Sequence, residues 1–382
     1  MKKIAVLGCG LVGSAIVNDL ARNLQNHIIA ADALGRHFEK FKGKDNVECI
    51  QTDLGNNQNL SMTVSGADLV INALPGFMGF STLKNLILLK KNVVDISFMP
   101  ENFLELDELA KAHQVTVVAD MGVAPGMSHL LAARSCALLD KAHEVLIYVG
   151  GLPRKREWPF EYKAVFSPAD VLEEYTRPAR LKRNGKIVEM KALSERELLH
   201  FEPLGTLEAF NSDGLRSLLH SLDVPDMAEK TLRYKGHAEL MEIFRECGFF
   251  DQQPIEIQGQ PVKPIDLTSR LLFERWKLHP GEADYTIMRI QVKGLKNGKT
   301  TTLIYDLVDE YDPAEGIHSM ARTTGFAATA VADLMLRGKI SAFGVLPPEF
   351  LGENQELVDD VLNYLKARNV NYQLRVIADE FR

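Results

Sequence analysis

Short apolar runs alternate with helical patterns over the first 120 residues, and this alternation limits the possible folds more than any other feature of the sequence. The apolar runs expected to form strands are Lys2–Gly8, His27–Asp32, Val47–Gln51, Leu69–Ala73, Val93–Ile96 and Val115–Ala119. Between them, apolar side chains recur at helical spacing, as in Val12, Ile16 and Leu20 and within Phe103–His113. Strands that alternate with helices form right-handed βαβ units, so this part of the chain is predicted to be an α/β domain with a parallel sheet.

The pattern changes after residue 120, where the helical stretch Met127–Leu139 is followed mainly by strand-like segments. The clearest pair is Tyr285–Gly294 and Thr300–Tyr311, whose connection contains Asn297-Gly298. Asn-Gly between alternating apolar runs is the strongest short-range hairpin signal. We therefore expect a second, α+β domain with a mostly antiparallel sheet. Its further candidate strands are Glu144–Val149, Tyr162–Phe166, Leu181–Val188 and Thr231–Tyr234.

The length of 382 residues exceeds the size at which a single hydrophobic core keeps growing, so two domains are expected. The change of pattern places a first domain at residues 1–120 and a second at residues 121–320. The helical pattern near residues 321–337 is expected to return to the first domain. Residues 338–382 are expected to form a C-terminal extension that packs on the first domain.

Composition and charge exclude several classes of protein. Hydrophobic residues make up 46% and charged residues 25%, which is the balance of an ordinary globular protein. The net charge of −7 argues against a general binder of nucleic acid or anionic membranes. The four cysteines are scattered, so neither a disulfide framework nor structural zinc is expected. No apolar run approaches the roughly 20 residues that cross a bilayer, and glycines interrupt the amino-terminal run. We expect a soluble, cytoplasmic protein.

The glycine motif GxGxxG follows the first predicted strand and precedes the first predicted helix. In this context Gly8 permits a tight turn, Gly10 lets the backbone approach a pyrophosphate, and Gly13 lets helix and strand pack closely. The amino-terminal end of the helix also favours anionic phosphates. A purely structural glycine turn is the alternative. The motif predicts a Rossmann domain, with cofactor contacts from Gly8, Cys9, Gly10, Leu11, Val12 and Gly13.

Asp32 ends the second predicted strand, where a carboxylate accepts hydrogen bonds from the adenosine ribose and repels a 2′-phosphate. NAD is therefore favoured over NADP as the cofactor. Arg36 offers an alternative, because it could meet a phosphate or lie on a solvated face. The glycine motif also occurs in flavin-binding proteins, but no other feature of the sequence indicates a flavin.

Later loops should complete the cofactor site, because ligands of open α/β sheets bind at the carboxyl ends of the strands. Asp53 and Leu54 follow the third strand and are placed near the adenine. For Pro75 and its neighbour Gly76, ordinary turn chemistry is an equal alternative. The candidate contacts in these loops are Asp53, Leu54, Asn72, Ala73, Leu74, Pro75, Ser97, Gly122 and Pro125.

Several longer strings make the sequence resemble the saccharopine dehydrogenase family, and within it the lysine 6-dehydrogenase branch. The resemblance extends over essentially the whole chain. The VAPGM, GTLEAF and TLRYxGH strings are much more specific than the glycine motif. The segments that carry it are Val6–Gly10, Asn72–Pro75, Asp120–Met127, Tyr148–Pro153, Leu204–Phe210, Lys230–His237 and Met320–Thr324.

The resemblance implies a Rossmann domain followed by a domain that supplies substrate contacts and the interface of a homodimer. It also implies oxidation of an amine by hydride transfer to a nicotinamide cofactor. Ala124 occupies the place where the saccharopine-forming reductases of the family tend to carry Asp before Pro-Gly. This departure favours free lysine over saccharopine as the substrate.

The substrate offers a carboxylate, which arginine holds well because its guanidinium binds in a bidentate manner. Arg233, in the string TLRYKGH, is the first candidate for this role and Arg322 the second. Either arginine could instead be solvated. Phe98, in the loop after the fifth strand, is a further candidate substrate contact.

Oxidation of lysine at Cε requires a neutral amine, and deprotonation of an ordinary ammonium at pH 7 costs roughly 4.6 kcal/mol. A desolvated pocket or a general base must therefore assist. Asp95 and Asp120 end predicted strands and are candidates for amine recognition or proton transfer, although either could cap a turn. His237 could be a base, or it could form structural hydrogen bonds. No residue pattern indicates a metal site.

Two alternatives to lysine oxidation remain. The chain could act on saccharopine or on a related carboxylated polyamine. It could also be a non-catalytic NAD-binding sensor. The polar candidate residues Arg233, His237, Asp95 and Asp120 argue against this alternative.

Overall fold

The computed structural model describes residues 1–166, 168–279 and 281–378. Numbered in chain order, the strands are β1 Lys2–Leu7, β2 Asn26–Asp32, β3 Val47–Gln51, β4 Leu69–Asn72, β5 Val93–Asp95, β6 Thr116–Val118, β7 Lys141–Pro153, β8 Ala179–Arg183, β9 Lys186–Met190, β10 Glu197–Phe201, β11 Gly205–Asn211, β12 Asp226–Tyr234, β13 Ile255–Ile257, β14 Gln260–Val262, β15 Asp284–Lys296, β16 Lys299–Glu310, β17 Gly344–Leu346 and β18 Gln373–Ala378.

The α-helices are α1 Leu11–Leu20, α2 Asn57–Val64, α3 Gly76–Leu88, α4 Asp107–Ala112, α5 Met127–Ala137, α6 Pro168–Thr176, α7 Leu218–Ser221, α8 His237–Glu246, α9 Pro264–Trp276, α10 Ser319–Leu336, α11 Pro348–Gly352 and α12 Gln355–Lys366. Short 3₁₀ helices span Gly35–Phe41 and Phe103–Leu106. None of the helices in the described ranges combines the length and the apolar character needed to cross a membrane.

The described residues form two compact units. The first unit contains residues 1–137 and 321–371, and the second contains residues 138–320 together with β18. In the first unit, seven described strands form a parallel sheet in the order β17-β6-β5-β4-β1-β2-β3. Its central strands are almost wholly apolar and buried, as in Ile4–Leu7, because helices cover both faces of such a sheet. The predicted α/β domain is confirmed.

The strand order places a topological switch point between β1 and β4. The chain continues from β1 to β2 and β3 on one side, and β4 then pairs with β1 on the other side. Ligands of open α/β sheets bind at such a point, outside the carboxyl ends of the strands. The loops after β1, β2, β4 and β5 are therefore the ones expected to contact a ligand.

The second unit contains a nine-stranded sheet among the described residues. Its main order is β10-β11-β12-β7-β15-β16-β18, with β8 pairing with β12 and β9 with β8. Only the β7–β12 pair is parallel among the recorded pairs, and the others are antiparallel. The predicted α+β domain with a mostly antiparallel sheet is confirmed.

Two Asn-Gly turns occur in this sheet, and only one was predicted. Asn297-Gly298 joins β15 to β16, and both residues have positive φ as a type I′ turn requires. The predicted single strand Leu181–Val188 is wrong, because Asn184-Gly185 folds it into the β8–β9 hairpin. The predicted strand Tyr162–Phe166 is also wrong, since this segment has only an isolated bridge at Ala164.

The domain boundaries differ from those expected at residues 120 and 338. Residues 121–137 belong to the first unit, where α5 packs so closely on α11 that a Cβ on Gly352 would lie 2.3 Å from the carbonyl oxygen of Leu130. The C-terminal extension is divided between the units. β17 joins the first sheet, whereas β18 pairs with β16 in the second, so the expectation for residues 338–382 is wrong for this last strand.

Candidate cofactor and substrate sites

The loop between β1 and α1 contains three glycines with different surroundings. Gly8 has a φ of +88°, and a Cβ there would lie 2.7 Å from the carbonyl oxygen of Ala73. A Cβ on Gly13 would lie 1.9 Å from the carbonyl oxygen of Gly8. Apart from Gly10 itself and its two chain neighbours, no atom of the described residues lies within 4 Å of a Cβ built on Gly10. The backbone at Gly10 is therefore open to a pyrophosphate, and the loop fits a dinucleotide.

The remaining residues of this loop differ in the exposure of their side chains. Leu11 is exposed and Val12 is half-buried at the first turn of α1. The Cys9 side chain is buried, and its Sγ lies 3.7 Å from the carbonyl oxygen of Ala31. Burial raises the pKa of the Cys9 thiol, so this side chain stays protonated. Its backbone N–H connects the loop to β2.

Asp32, the last residue of β2, is held by three neighbours. Its carboxylate accepts hydrogen bonds from the backbone N–H groups of Cys9 (2.6 Å) and Leu34 (2.7 Å), and Nδ1 of His37 lies 3.0 Å away. Burial pushes the pKa of Asp32 upward, but the hydrogen bonds from His37, Leu34 and Cys9 outweigh it and hold the pKa below its usual value. The carboxylate is therefore ionised and fixed beside the glycine loop, where an adenosine ribose is recognised in Rossmann domains.

A buried network connects the ends of β4 and β5. The Asp95 carboxylate accepts hydrogen bonds from Nδ2 of Asn72 (2.6 Å) and from the backbone N–H (2.8 Å) and Oγ (2.6 Å) of Ser97. Asp95 is fully buried, and this burial raises its pKa to about 7 against the effect of those donors. The network fixes two loops at the switch point and gives Asp95 a positioning role. Its enclosure does not support the predicted direct contact with a substrate amine.

The loops after β4 and β5 lie against each other. A Cβ on Gly76 would lie 2.3 Å from the carbonyl oxygen of Phe98, which is half-buried beside the start of α3. Ala73 contacts Gly8 through its carbonyl group, Leu74 packs in the core, and Pro75 is exposed. These residues lie at the carboxyl ends of the strands, as predicted.

Asp53 and Leu54, which follow β3, lie in different environments. Asp53 is exposed, and its Oδ1 accepts a hydrogen bond from the backbone N–H of Gly55 (2.9 Å). The Leu54 side chain is buried in the hydrophobic core. Leu54 can therefore offer only its backbone to a cofactor, and its place near the adenine stays a prediction.

The segment Gly122–Gly126 after β6 forms a tight loop. The backbone N–H of Gly122 donates to the carbonyl oxygen of Pro125 (3.1 Å), and a Cβ on Gly126 would lie 2.0 Å from the carbonyl oxygen of Gly122. Ala124 and Pro125 are half-buried at its tip. Asp120 precedes the loop with a φ of +55° and is almost fully buried.

Arg322 lies on α10 in the first unit and is buried. Its Nη2 donates to the carbonyl oxygen of Arg368 (2.7 Å) at the end of α12. This contact gives the Arg322 guanidinium a structural role, and it does not support the predicted capture of a substrate carboxylate.

Arg233 lies on β12 in the second unit, and its guanidinium is already engaged. It forms an ion pair with Glu174, donates from Nε to the hydroxyl of Tyr175 (3.2 Å), and donates from Nη1 to the carbonyl oxygen of Leu232 (2.9 Å). The guanidinium also lies 4.6 Å from the ring centroid of Tyr162. The predicted carboxylate-binding arginine is therefore occupied by a carboxylate of the chain itself.

His237 is the first residue of α8 and has a structural environment. Its Nδ1 lies 2.9 Å from the carbonyl oxygen of Phe160, and its Nε2 lies 2.9 Å from the hydroxyl of Tyr175. Burial and the nearby charge of Arg233 lower the pKa of His237 to about 3. The imidazole is therefore neutral and a very weak base, so the geometry supports the structural alternative.

The partners of these residues are not predicted by any sequence motif. Glu174 and Tyr175 lie on α6, a helix that was not predicted, and His37 lies in the 3₁₀ helix after β2. The adjacent letters of Glu174-Tyr175 carry no motif, so only the fold brings them to Arg233. No cluster of His, Cys, Asp and Glu suited to a metal occurs in the ranges that the structure describes.

Comparison with known proteins gives two family matches that together span most of the chain. Residues 4–118 match the saccharopine dehydrogenase NADP binding domain, and residues 122–370 match the saccharopine dehydrogenase C-terminal domain. An apo saccharopine dehydrogenase (L-Glu forming) from Saccharomyces cerevisiae has a similar fold. The TM-score is 0.81 at 20% identity, covering 99% of this chain and 100% of that one.

Curated relatives also match along the sequence. The bovine mitochondrial alpha-aminoadipic semialdehyde synthase is 25% identical over 97% of this chain, which spans 47% of that protein, so the chain is about half as long as such relatives. Saccharopine dehydrogenase [NADP(+), L-glutamate-forming] of Schizosaccharomyces pombe is 24% identical, and all of both chains is covered. Carboxynorspermidine synthase of Vibrio cholerae is 23% identical over 91% of this chain and 92% of that protein. The family predicted from the sequence is confirmed by these matches, and the chain belongs to the saccharopine dehydrogenase family.

Proposed function

We propose that the chain is an NAD-dependent dehydrogenase that oxidises the terminal amine of L-lysine to an imine. Hydrolysis of the imine gives a semialdehyde, which cyclises onto the remaining α-amine. The observation that carries the choice of lysine is Ala124, a small neutral residue at the half-buried tip of the Gly122–Gly126 loop. The saccharopine-forming reductases that the sequence resembles tend to carry an acidic residue at this place. Its absence supports a smaller substrate.

The preference for NAD rests on Asp32. An ionised carboxylate at the end of β2 accepts hydrogen bonds from ribose hydroxyls and repels a 2′-phosphate. The family description and the fungal relatives name NADP, which argues for the opposite preference. Arg36, exposed in the following 3₁₀ helix, is the residue that would meet a phosphate. Measuring the affinities for NAD and NADP side by side tests whether Asp32 or Arg36 determines the preference.

The proposed reaction assigns simple roles to the residues of the chain. A nicotinamide dinucleotide held by the glycine loop would supply a hydride acceptor for the amine-bearing carbon. The glycine loop and Asp32 hold and orient the dinucleotide, while Asp95 fixes the loops after β4 and β5. We assign the proton acceptor to Asp120, because the Asp95 carboxylate already accepts hydrogen bonds from Asn72 and Ser97 and His237 is too weak a base.

The test is reduction of NAD or NADP by the purified protein with L-lysine or saccharopine as the only amine. We expect NAD reduction with lysine, faster at about pH 9 than at pH 7 because more of the amine is neutral. Exclusive turnover of saccharopine would replace lysine oxidation by the second candidate, which the names of the relatives favour. Tight NAD binding without turnover of any amine would support a sensor.

A further inference from the structure

A histidine in the 3₁₀ helix that follows β2 pairs with Asp32. The Nδ1 atom of this residue, His37, lies 3.0 Å from Oδ2 of Asp32. An ionised carboxylate can only accept hydrogen bonds, so Nδ1 carries the proton and donates it. The side chains of His37 and Asp32 are 25% and 11% exposed, and a partly buried pair of this kind is screened much less than one on the open surface.

The chain itself fills most of the acceptor positions of Asp32. Oδ2 accepts hydrogen bonds from the backbone N–H of Cys9 (2.6 Å) and from His37, while Oδ1 accepts one from the backbone N–H of Leu34 (2.7 Å). Each carboxylate oxygen has two acceptor positions, so Oδ2 is saturated and Oδ1 has one position left. A ribose presents two neighbouring hydroxyl groups. One of them therefore finds no acceptor on Asp32 while His37 keeps its place.

His37 also offsets the negative charge of Asp32. Burial raises the pKa of Asp32, and the hydrogen bond from His37 is the largest of the effects that hold this pKa below its usual value. A donor that stabilises the carboxylate in this way also weakens its repulsion of other anions. A 2′-phosphate near the end of β2 is therefore repelled less than it would be by the same carboxylate without His37.

We infer that His37 is a positioning residue of the dinucleotide site that acts through Asp32 and lowers the preference for NAD over NADP. Its N–H group occupies an acceptor that a ribose hydroxyl would use, and it reduces the repulsion of a 2′-phosphate. This inference rests on the proposed function, in which Asp32 discriminates between the two dinucleotides.

The test is the ratio of the dissociation constant of NADP to that of NAD, measured by titration calorimetry on the full chain. His37→Leu removes the donor, so the ratio should rise about tenfold, because hydrogen bonds to charged groups are among the stronger ones in proteins. His37→Asn keeps an N–H group at the position of Nδ1, so the ratio should stay within about twofold of that of the unmodified protein.

His27→Leu is the matched control. His27 lies near the start of β2, its Nε2 is 3.0 Å from Oε2 of Glu48, and its side chain is 26% exposed. The pair therefore resembles that of His37 and Asp32 in distance and in the exposure of the histidine, but it does not involve Asp32. His27→Leu should leave the ratio unchanged.

A purely structural role of His37 would weaken the binding of NAD and NADP together, so an unchanged or lower ratio in His37→Leu overturns the inference. If His37→Leu does not fold, His37→Ala replaces it, because it lacks the same donor. Added to Asp32→Asn, His37→Leu should not change the ratio further, and a further change would mean that His37 does not act through Asp32. Asp32→Asn by itself tests the proposed preference for NAD. A changed ratio in that variant with an unchanged ratio in His37→Leu overturns the inference alone.

Discussion

At the scale of single residues, the three glycines of the cofactor loop differ in the space beside them, and this difference has measurable consequences. Gly13→Ala puts a Cβ 1.9 Å from the carbonyl oxygen of Gly8, so the backbone must shift. We expect a loss of about 1–3 kcal/mol in the free energy of unfolding, typical of overpacking, together with weak NAD binding. Thermal unfolding and NAD titration measure the two effects.

Gly10→Ala is the matched control for that substitution. Because the surroundings of Gly10 within the described residues are open, the variant should unfold within about 0.5 kcal/mol of the unmodified protein. The new methyl group occupies the space that a pyrophosphate needs, so NAD binding should still fall. Equal loss of stability in the two variants, or unchanged NAD binding in Gly10→Ala, would contradict the arrangement described for this loop.

The charge of Asp32 can be tested without removing its side chain. Asp32→Asn keeps a hydrogen-bond acceptor but loses the ionised group, and hydrogen bonds to charged groups are worth about 1.5–3 kcal/mol. We expect NAD to bind roughly 10- to 100-fold more weakly. NADP should be affected much less, because the repulsion of its 2′-phosphate also disappears. The measurement is the dissociation constant of each dinucleotide.

The control for Asp32→Asn is Glu48→Gln, which neutralises an exposed acid of β3 that pairs with His27. This variant should leave the ratio of the two dissociation constants unchanged. If Asp32→Asn also leaves the ratio unchanged, another residue discriminates between the dinucleotides and the case for NAD fails.

At the scale of elements, a buried acid on α1 connects three helices of the first unit. The Asp19 carboxylate accepts hydrogen bonds from Thr329 Oγ1 of α10 (2.6 Å), the Tyr364 hydroxyl of α12 (2.8 Å) and Nε of Arg368 (2.6 Å). Asp19→Ala leaves these donors and a largely buried cation without their acceptor. We expect a loss of about 2–4 kcal/mol in the free energy of unfolding, measured by chemical denaturation.

Arg22→Ala provides the comparison for Asp19. Arg22 lies 3.6 Å from the same carboxylate, but its side chain is 41% exposed, so its removal should cost less than about 1 kcal/mol. Similar losses for the two variants would show that the buried hydrogen bonds contribute little beyond the surface ion pair.

The hairpins show how far local sequence predicts elements. Asn297-Gly298 was predicted as a turn because long alternating runs flank it, and β15 and β16 form as expected. Asn184-Gly185 carries the same signal, but the flanking segments are short and rich in Lys and Arg, so the hairpin was predicted as one strand. The helices α6, α8 and α9 were missed because their apolar faces become apparent only when they pack around Trp276.

At the scale of the whole molecule, the parallel sheet and the cofactor loop follow from patterns that are local in sequence. The division of the chain between the two units does not follow from such local patterns. β18 joins β16 through pairing of residues such as Val376 and Leu303, which are far apart in sequence. The ion pair of Arg233 with Glu174 and the hydrogen bond between His237 and Tyr175 likewise arise from tertiary structure. They give both residues structural contacts, whereas the string TLRYKGH suggested roles in substrate binding and proton transfer.

Two buried groups, one in each unit, should contribute to the acid response in opposite directions, because burial shifts the pKa of an imidazole downward and that of a carboxyl upward. His237 in the second unit has a pKa near 3, below the 6.5 of an ordinary histidine. The unfolded chain binds the proton first, so this unit loses stability as the pH falls below 6.5, by about 2 kcal/mol at pH 5. Asp95 in the first unit has a pKa near 7, above the ordinary 3.8. The folded chain then binds the proton first, so this group contributes about 2 kcal/mol of stabilisation as the pH falls from 7 to 5.

Variants separate these contributions from those of other titrating groups. The free energy of unfolding is measured between pH 5 and pH 7 for the unmodified protein, His237→Gln and Asp95→Asn, and only the slopes are compared. His237→Gln should lose the acid-induced destabilisation and Asp95→Asn the acid-induced stabilisation, each by about 1 kcal/mol per pH unit averaged over this range. Addition of NAD identifies the transition of the first unit, because a ligand raises the stability of the unit that binds it. Parallel slopes for all three proteins would mean that neither group is enclosed in solution as the structure describes.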